Sequence, residues 1–249
     1  MQLNNILAWI EQKWEKYSHG LERKTTIVLI GSAVLLTLYR FFNTRSFFNK
    51  HFRRYFATPS IRELLSYHYW FLSTAVVLFV LPVLLIKLGV KARIRDYGLQ
   101  FTHGKLGWGL VALGWVVMLP LILLALWLYP AFQQKYPLCK IAATSWQTFI
   151  PYELAYGVYM FSWEFIFRGF MLFGLEARFG NASILIQTVP FAIMHGSKPL
   201  PEAMGSVVAG LLLGALALET RSFLYGAALH WFVAMTMDIL AVGWQGMKL

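Results

Sequence analysis

Charge is scarce in this chain: 13% of its 249 residues are Asp, Glu, Lys or Arg, and only 11 residues are acidic. A water-facing surface draws on about a quarter of all residues being charged, so an ordinary soluble domain is excluded. Cysteine is nearly absent too. Cys139 stands alone, which rules out an internal disulfide and any Cys/His spacing of the structural-zinc kind. No signal peptide is expected, because the stretch from Glu11 to Lys24 is polar before any long apolar run begins.

Apolar side chains fill the space that charge leaves. Hydrophobic residues make up 58% of the chain and aromatics 17%, and the mean hydropathy is +0.57. Long apolar runs alternate with short basic loops, which predicts an all-α, polytopic membrane bundle with the bilayer as its solvent. The net charge of +11, from 22 Lys and Arg against 11 Asp and Glu, collects between the runs. Anionic membrane lipids are therefore the expected partner. Nucleic acid is not, since no recognised motif for it is present and the aromatics sit within or beside the apolar runs.

Three units are expected along the chain. Residues 1–24 read as an amphipathic interfacial helix, with Leu3, Ile6, Leu7, Ile10, Trp14, Tyr17 and Leu21 at three- and four-residue steps. Residues 25–144 hold membrane spans and basic loops. A short first span covers about Thr26 to Tyr39, and a basic-aromatic stretch from Arg40 to Arg62 follows along the membrane surface. Fuller spans run over about Tyr69 to Leu88 and Leu106 to Tyr129, with Pro130 to Lys140 as a loop. Residues 145–249 form the third unit, with helices at about Ser145 to Arg178, Ala182 to His195, Glu202 to Leu218 and Phe223 to Val242. Six to eight membrane helices are expected in all. Basic residues flank both ends of the first spans, so orientation stays open.

The third unit places ionisable residues inside apolar helices. Glu164 and Arg168 are four apart with the glutamate first, so they share a helix face and can pair among Trp163, Phe165, Ile166, Phe167 and Phe170. Uncompensated charge at that depth is costly, which makes such residues functional candidates. A pair that only pins two helices together is the competing reading. His195 ends Phe191-Ala192-Ile193-Met194-His195, and His230 lies in Leu229-His230-Trp231. Each is either a catalyst or an interhelical hydrogen-bond partner. Glu153 lies about 16 Å before Glu164 along the helix, too far for a carboxylate dyad with it.

In their order these residues resemble the membrane-embedded CAAX prenyl protease and bacteriocin-processing, or abortive-infection, family of glutamic-type intramembrane proteases. Its motifs are Glu-Glu-x-x-x-Arg, Phe-x-x-x-His and His-x-x-x-Asn/Asp. Glu164 with Arg168 matches the first, Phe191 with His195 the second and His230 the third, over about Trp146 to Val242. The family's first glutamate falls on Trp163, and the asparagine or aspartate of its third motif falls on Ala234. Asp238, two turns past His230 and offset by about 80 degrees, is a poor replacement.

The resemblance implies a multi-pass protein of a prokaryotic inner or plasma membrane that hydrolyses a peptide bond of a membrane-associated protein or peptide. Glu164, His195 and His230 are its expected catalytic residues and Arg168 a supporting one. Glu164 and His195 would hold a water, Glu164 would take its proton, and His230 would bond the oxyanion. No cofactor is expected. A zinc protease using Glu164, His195 and His230 as ligands is an alternative without HExxH-like spacing behind it. A nonproteolytic scaffold of the same fold is another, and a small proton-coupled carrier ranks lower for want of an inverted repeat. Lys198 and Glu202, beside His195 in sequence, read as headgroup anchors or as a selector for a substrate's charged end.

Overall fold

An apolar run in lipid must satisfy its backbone internally, and the helix does so within a single segment. The structure, a computed structural model, describes residues 3–246; the outermost residues of the first and last expected units, 1–2 and 247–249, lie outside the described residues. Among the described residues the chain consists of helices and turns, with no strand.

Among the described residues ten helices carry the fold, apart from short 3-10 turns. They are α1 (Leu3–Ser18), α2 (Arg23–Phe42), α3 (Arg45–Phe52), α4 (Pro59–Val90), α5 (Gly104–Leu128), α6 (Pro130–Lys135), α7 (Trp146–Phe179), α8 (Ala182–Met194), α9 (Leu200–Thr220) and α10 (Leu224–Trp244). Six of them, α2, α4, α5, α7, α9 and α10, are long and apolar enough to cross a membrane. Helix α8 is apolar but has only 13 residues.

In α1, the residues Leu7, Ile10, Trp14 and Tyr17 all stand exposed. The basic-aromatic stretch is more ordered than a surface strip. Thr44 caps α3 by accepting the Phe47 N–H at 3.0 Å, and Phe48 packs on Phe52, Phe56 and Tyr69. Two expected spans prove longer. The first runs from Arg23 to Phe42, and α4 starts at Pro59 rather than near Tyr69. Proline suits a first helical turn, and polar residues such as Arg62, Glu63 and His68 kept that start below the hydropathy of a span. The loop expected from Pro130 contains the short helix α6.

Helix α7 lies at the centre and packs against α2, α4, α8, α9 and α10. Its aromatics form a ladder with α4: Tyr67 meets Tyr152, Phe71 stacks on Tyr156 at 4.8 Å, and Trp70 meets Tyr159 at 5.5 Å. The paired numbers rise together, so α4 and α7 run in the same direction. Contacts of this kind contribute about 0.5–1.5 kcal/mol each beyond burial.

Small residues bring the other helices close, as membrane packing requires. A Cβ on Gly210 of α9 would lie 2.6 Å from the Thr188 side chain of α8. Without one, the Gly210 carbonyl accepts the Gln187 amide at 2.9 Å. Opposite α7 on α10, Trp231 covers Gly157, where a Cβ would sit 2.9 Å from the indole. The chain between α6 and α7 is tied to the end of α10: Lys140 donates to the Tyr136 carbonyl at 2.7 Å and to Gln245 Oε1 at 3.1 Å.

Candidate active site

The helical register of α7 changes at the residue after Glu164. From Phe165 to Phe173 the helix takes wider π turns, an irregularity that recurs at functional sites. Arg168 lies inside this segment and still reaches back: its Nη1 donates to Glu164 Oε1 at 3.0 Å, and both side chains are wholly buried. The same oxygen accepts His230 Nδ1–H from α10 at 2.7 Å. One carboxylate oxygen therefore holds a guanidinium and an imidazole together. The Arg168 guanidinium also lies 3.9 Å from the centre of the Phe191 ring of α8, a cation–π contact that offsets its removal from water.

The Phe-x-x-x-His spacing has a local meaning. His195 caps the C-terminus of α8, and its Nδ1 lies 2.8 Å from the Phe191 carbonyl one turn back. A carbonyl only accepts, so Nδ1 carries the proton and Nε2 is left as an acceptor. The same reasoning applies to His230, whose Nδ1–H goes to Glu164. The two rings lie nearly parallel, 18° apart, with centres 6.4 Å from each other. His230 keeps about a fifth of its side-chain surface exposed, whereas Glu164 has none.

The four residues singled out in the sequence, Glu164, Arg168, His195 and His230, thus converge from α7, α8 and α10. The bond to His230 also pins α7 to α10. The residues that depart from the family pattern lie in the same place. Trp163 stacks on Tyr159 at 5.6 Å and meets His195 edge-on at 5.8 Å. An indole cannot take a proton from water, so a hydrophobic wall stands there. Ala234 is buried and brings no donor.

A second cluster beside His195 was only half visible in the sequence. Lys198 and Glu202 do pair, at 2.8 Å, as their four-residue spacing allows. Tyr136, from the chain after α6, joins them: its hydroxyl lies 2.7 Å and 2.8 Å from the two Glu202 oxygens and accepts Lys198 Nζ at 2.6 Å. Burial, reinforced by Glu202, raises the Tyr136 phenol well above its ordinary value, so it stays a donor. Lys198 and Glu202 are thereby spent on each other and on Tyr136. Among the described residues no group of three or more His, Cys, Asp or Glu side chains is arranged to hold a metal ion.

A polytopic helical bundle with a carboxylate, a guanidinium and two imidazoles at one buried seam defines a class: an integral membrane protein carrying ionisable side chains in its core. Within that class, residues 145–236 match the sequence model of the Rce1-like family, the type II CAAX prenyl endopeptidases. This match supports the CAAX protease and bacteriocin-processing family for the bundle built on α7 to α10, and that family points to a membrane protease. No curated protein and no solved structure matches the chain.

Proposed function

We propose that this protein is an intramembrane endopeptidase, metal-free, that cuts a membrane-associated protein or peptide at a prokaryotic inner or plasma membrane. The observation that carries the reading is the 2.7 Å bond from His230 Nδ1 to Glu164 Oε1, with Arg168 on the same oxygen. A carboxylate that holds Nδ1–H orients the imidazole, keeps Nε2 free and stabilises the imidazolium that forms when Nε2 takes a proton. Glu164 activates water through His230 in this scheme. The direct route would need a carboxylate face open to water, and Glu164 has no exposed surface.

The chemistry runs as follows. His230 Nε2 removes a proton from a water held between the two imidazoles, and the hydroxide adds to the peptide carbonyl carbon. The imidazolium then returns the proton to the leaving amine. His195 holds the water through Nε2 and is fixed by the Phe191 carbonyl. Arg168 balances the Glu164 charge throughout.

The test uses purified protein in liposomes with candidate membrane-peptide substrates. Glu164→Gln and His230→Ala should each lower cleavage by about 100-fold or more, the scale of general-base catalysis. Full activity in Glu164→Gln overturns the scheme. A second reading, a nonproteolytic scaffold that binds a peptide or a partner helix, is favoured by Trp163 and Ala234. Substrate binding by the wild type without any cleavage would select it.

A further inference from the structure

The chain between α2 and α4 carries a cluster of positive charge that the site above leaves unused. Helices α2 and α4 are both long and apolar enough to cross a membrane, so the connection between them, α3 and the 53–58 segment, lies at a membrane face. The Tyr69 hydroxyl of α4 closes this hairpin by donating to the Phe42 carbonyl at the end of α2, at 3.0 Å.

Helix α3 separates its chemistry by side. Ser46, Asn49, Lys50 and Arg53 follow at steps of three, one and three, which puts them on one face. Phe48 lies on the opposite side and packs on Phe52, Phe56 and Tyr69. The polar face, with Arg62 from the first turn of α4, lines a hollow of about 510 Å³. A neighbouring hollow of about 630 Å³ is walled again by Asn49, Lys50, Arg53 and Arg62, and also by Arg54.

No Asp or Glu borders either hollow. The ion pairs among the described residues all lie elsewhere, and Glu63, next to Arg62 in sequence, is turned about 100° away on the helix. Arg54 gives one N–H to the Tyr55 hydroxyl at 2.7 Å. Four like charges bordering one space repel one another until an anion enters.

Shape and setting select the anion. Arginine and lysine are phosphate binders, arginine through paired N–H donors. A single phosphate fills a small part of a hollow of 510 or 630 Å³ and cannot balance four cations. Phe41, Phe42, Phe52 and Tyr55 stand exposed at the ends of α2 and α3, as aromatic side chains do at the headgroup level of a bilayer. They offer acyl chains an apolar surface beside the charge.

We propose that the hollow between α3 and the start of α4 is a headgroup site for an anionic phospholipid carrying two phosphates, held by Arg53 and Arg62 with Lys50 and Arg54 beside them. A headgroup bound here is a stoichiometric ligand, unlike the diffuse attraction of basic loops to an anionic surface. Its binding is independent of peptide hydrolysis and is read out without cleavage.

Native mass spectrometry of the purified protein with added lipid tests it. Diphosphatidylglycerol should stay bound one to one, phosphatidylglycerol less and phosphatidylcholine least. Arg53→Gln combined with Arg62→Gln should weaken retention of diphosphatidylglycerol by about 10-fold or more. Lys13→Gln combined with Lys16→Gln, which removes the same charge from α1, should leave it unchanged. Lack of a one-to-one adduct in the wild type, or equal losses in the two double variants, overturns the proposal. Equal retention of the one- and two-phosphate lipids overturns the two-phosphate assignment. Inorganic phosphate or pyrophosphate bound as tightly as the lipid would make a soluble anion the occupant and overturn the lipid source. Should the first double variant fail to fold, Lys50→Gln at an exposed position of α3 decides: retention should weaken about 5-fold, and unchanged retention overturns the site.

Discussion

Helices α5 and α7 are both long enough to cross a bilayer, yet they solve opposite problems. The most apolar window of α5 has a mean hydropathy of 2.5 and is 17% buried inside the protein, whereas that of α7 has 1.2 and is 89% buried. The less apolar helix is the more enclosed, the reverse of a water-soluble fold. Lipid tails solvate Leu113, Val116 and Leu121 of α5 as well as any protein core would, so nothing drives them inward. Glu153, Glu164 and Arg168 of α7 have no such option and are buried where other helices enclose them.

Three substitutions sharpen or break that contrast. The largest effect belongs to Arg168→Met, which leaves the buried Glu164 carboxylate without its cation and should cost about 3–5 kcal/mol in thermal unfolding in detergent. A loss near zero would mean that α7 is solvated by something other than its helical neighbours. Gly157→Ala should cost less, about 1–3 kcal/mol, because its methyl would sit 2.9 Å from the Trp231 indole. An unchanged midpoint there would show that α7 and α10 pack less tightly than the polar contacts between them imply. The smallest effect is expected from Val116→Ala on α5, within about 0.5 kcal/mol, since this side chain is 57% exposed to the lipid side. A cost like that of Gly157→Ala would show that α5 has a protein partner beyond this chain.

Much of this was legible beforehand, for identifiable reasons. Hydropathy marks the spans because lipid punishes polar groups one residue at a time, and the convergence of Glu164, His195 and His230 followed from motif order. Residues that depend on a different helix stayed hidden. On its own helix Asp238 is offset from His230, while the Tyr152 hydroxyl that bonds it lies 86 positions earlier. The wider turns after Glu164 were equally silent, because Phe165 to Phe173 reads as an ordinary apolar helix. Tyr136 carried no signal in sequence, since its role comes from Lys198 and Glu202 being folded against it.

The shortness of α8 bears on how a reaction could be wetted. Thirteen residues span roughly 20 Å, against about 30 Å of hydrocarbon. Its last residue is followed by His195, so one leaflet is left about 10 Å to make up. On that side stand the backbone polar groups of the 195–199 turn with Lys198, Glu202 and Tyr136. From that side water would have the shorter apolar path to the imidazoles, and a substrate anchored in the same leaflet would meet them without leaving it.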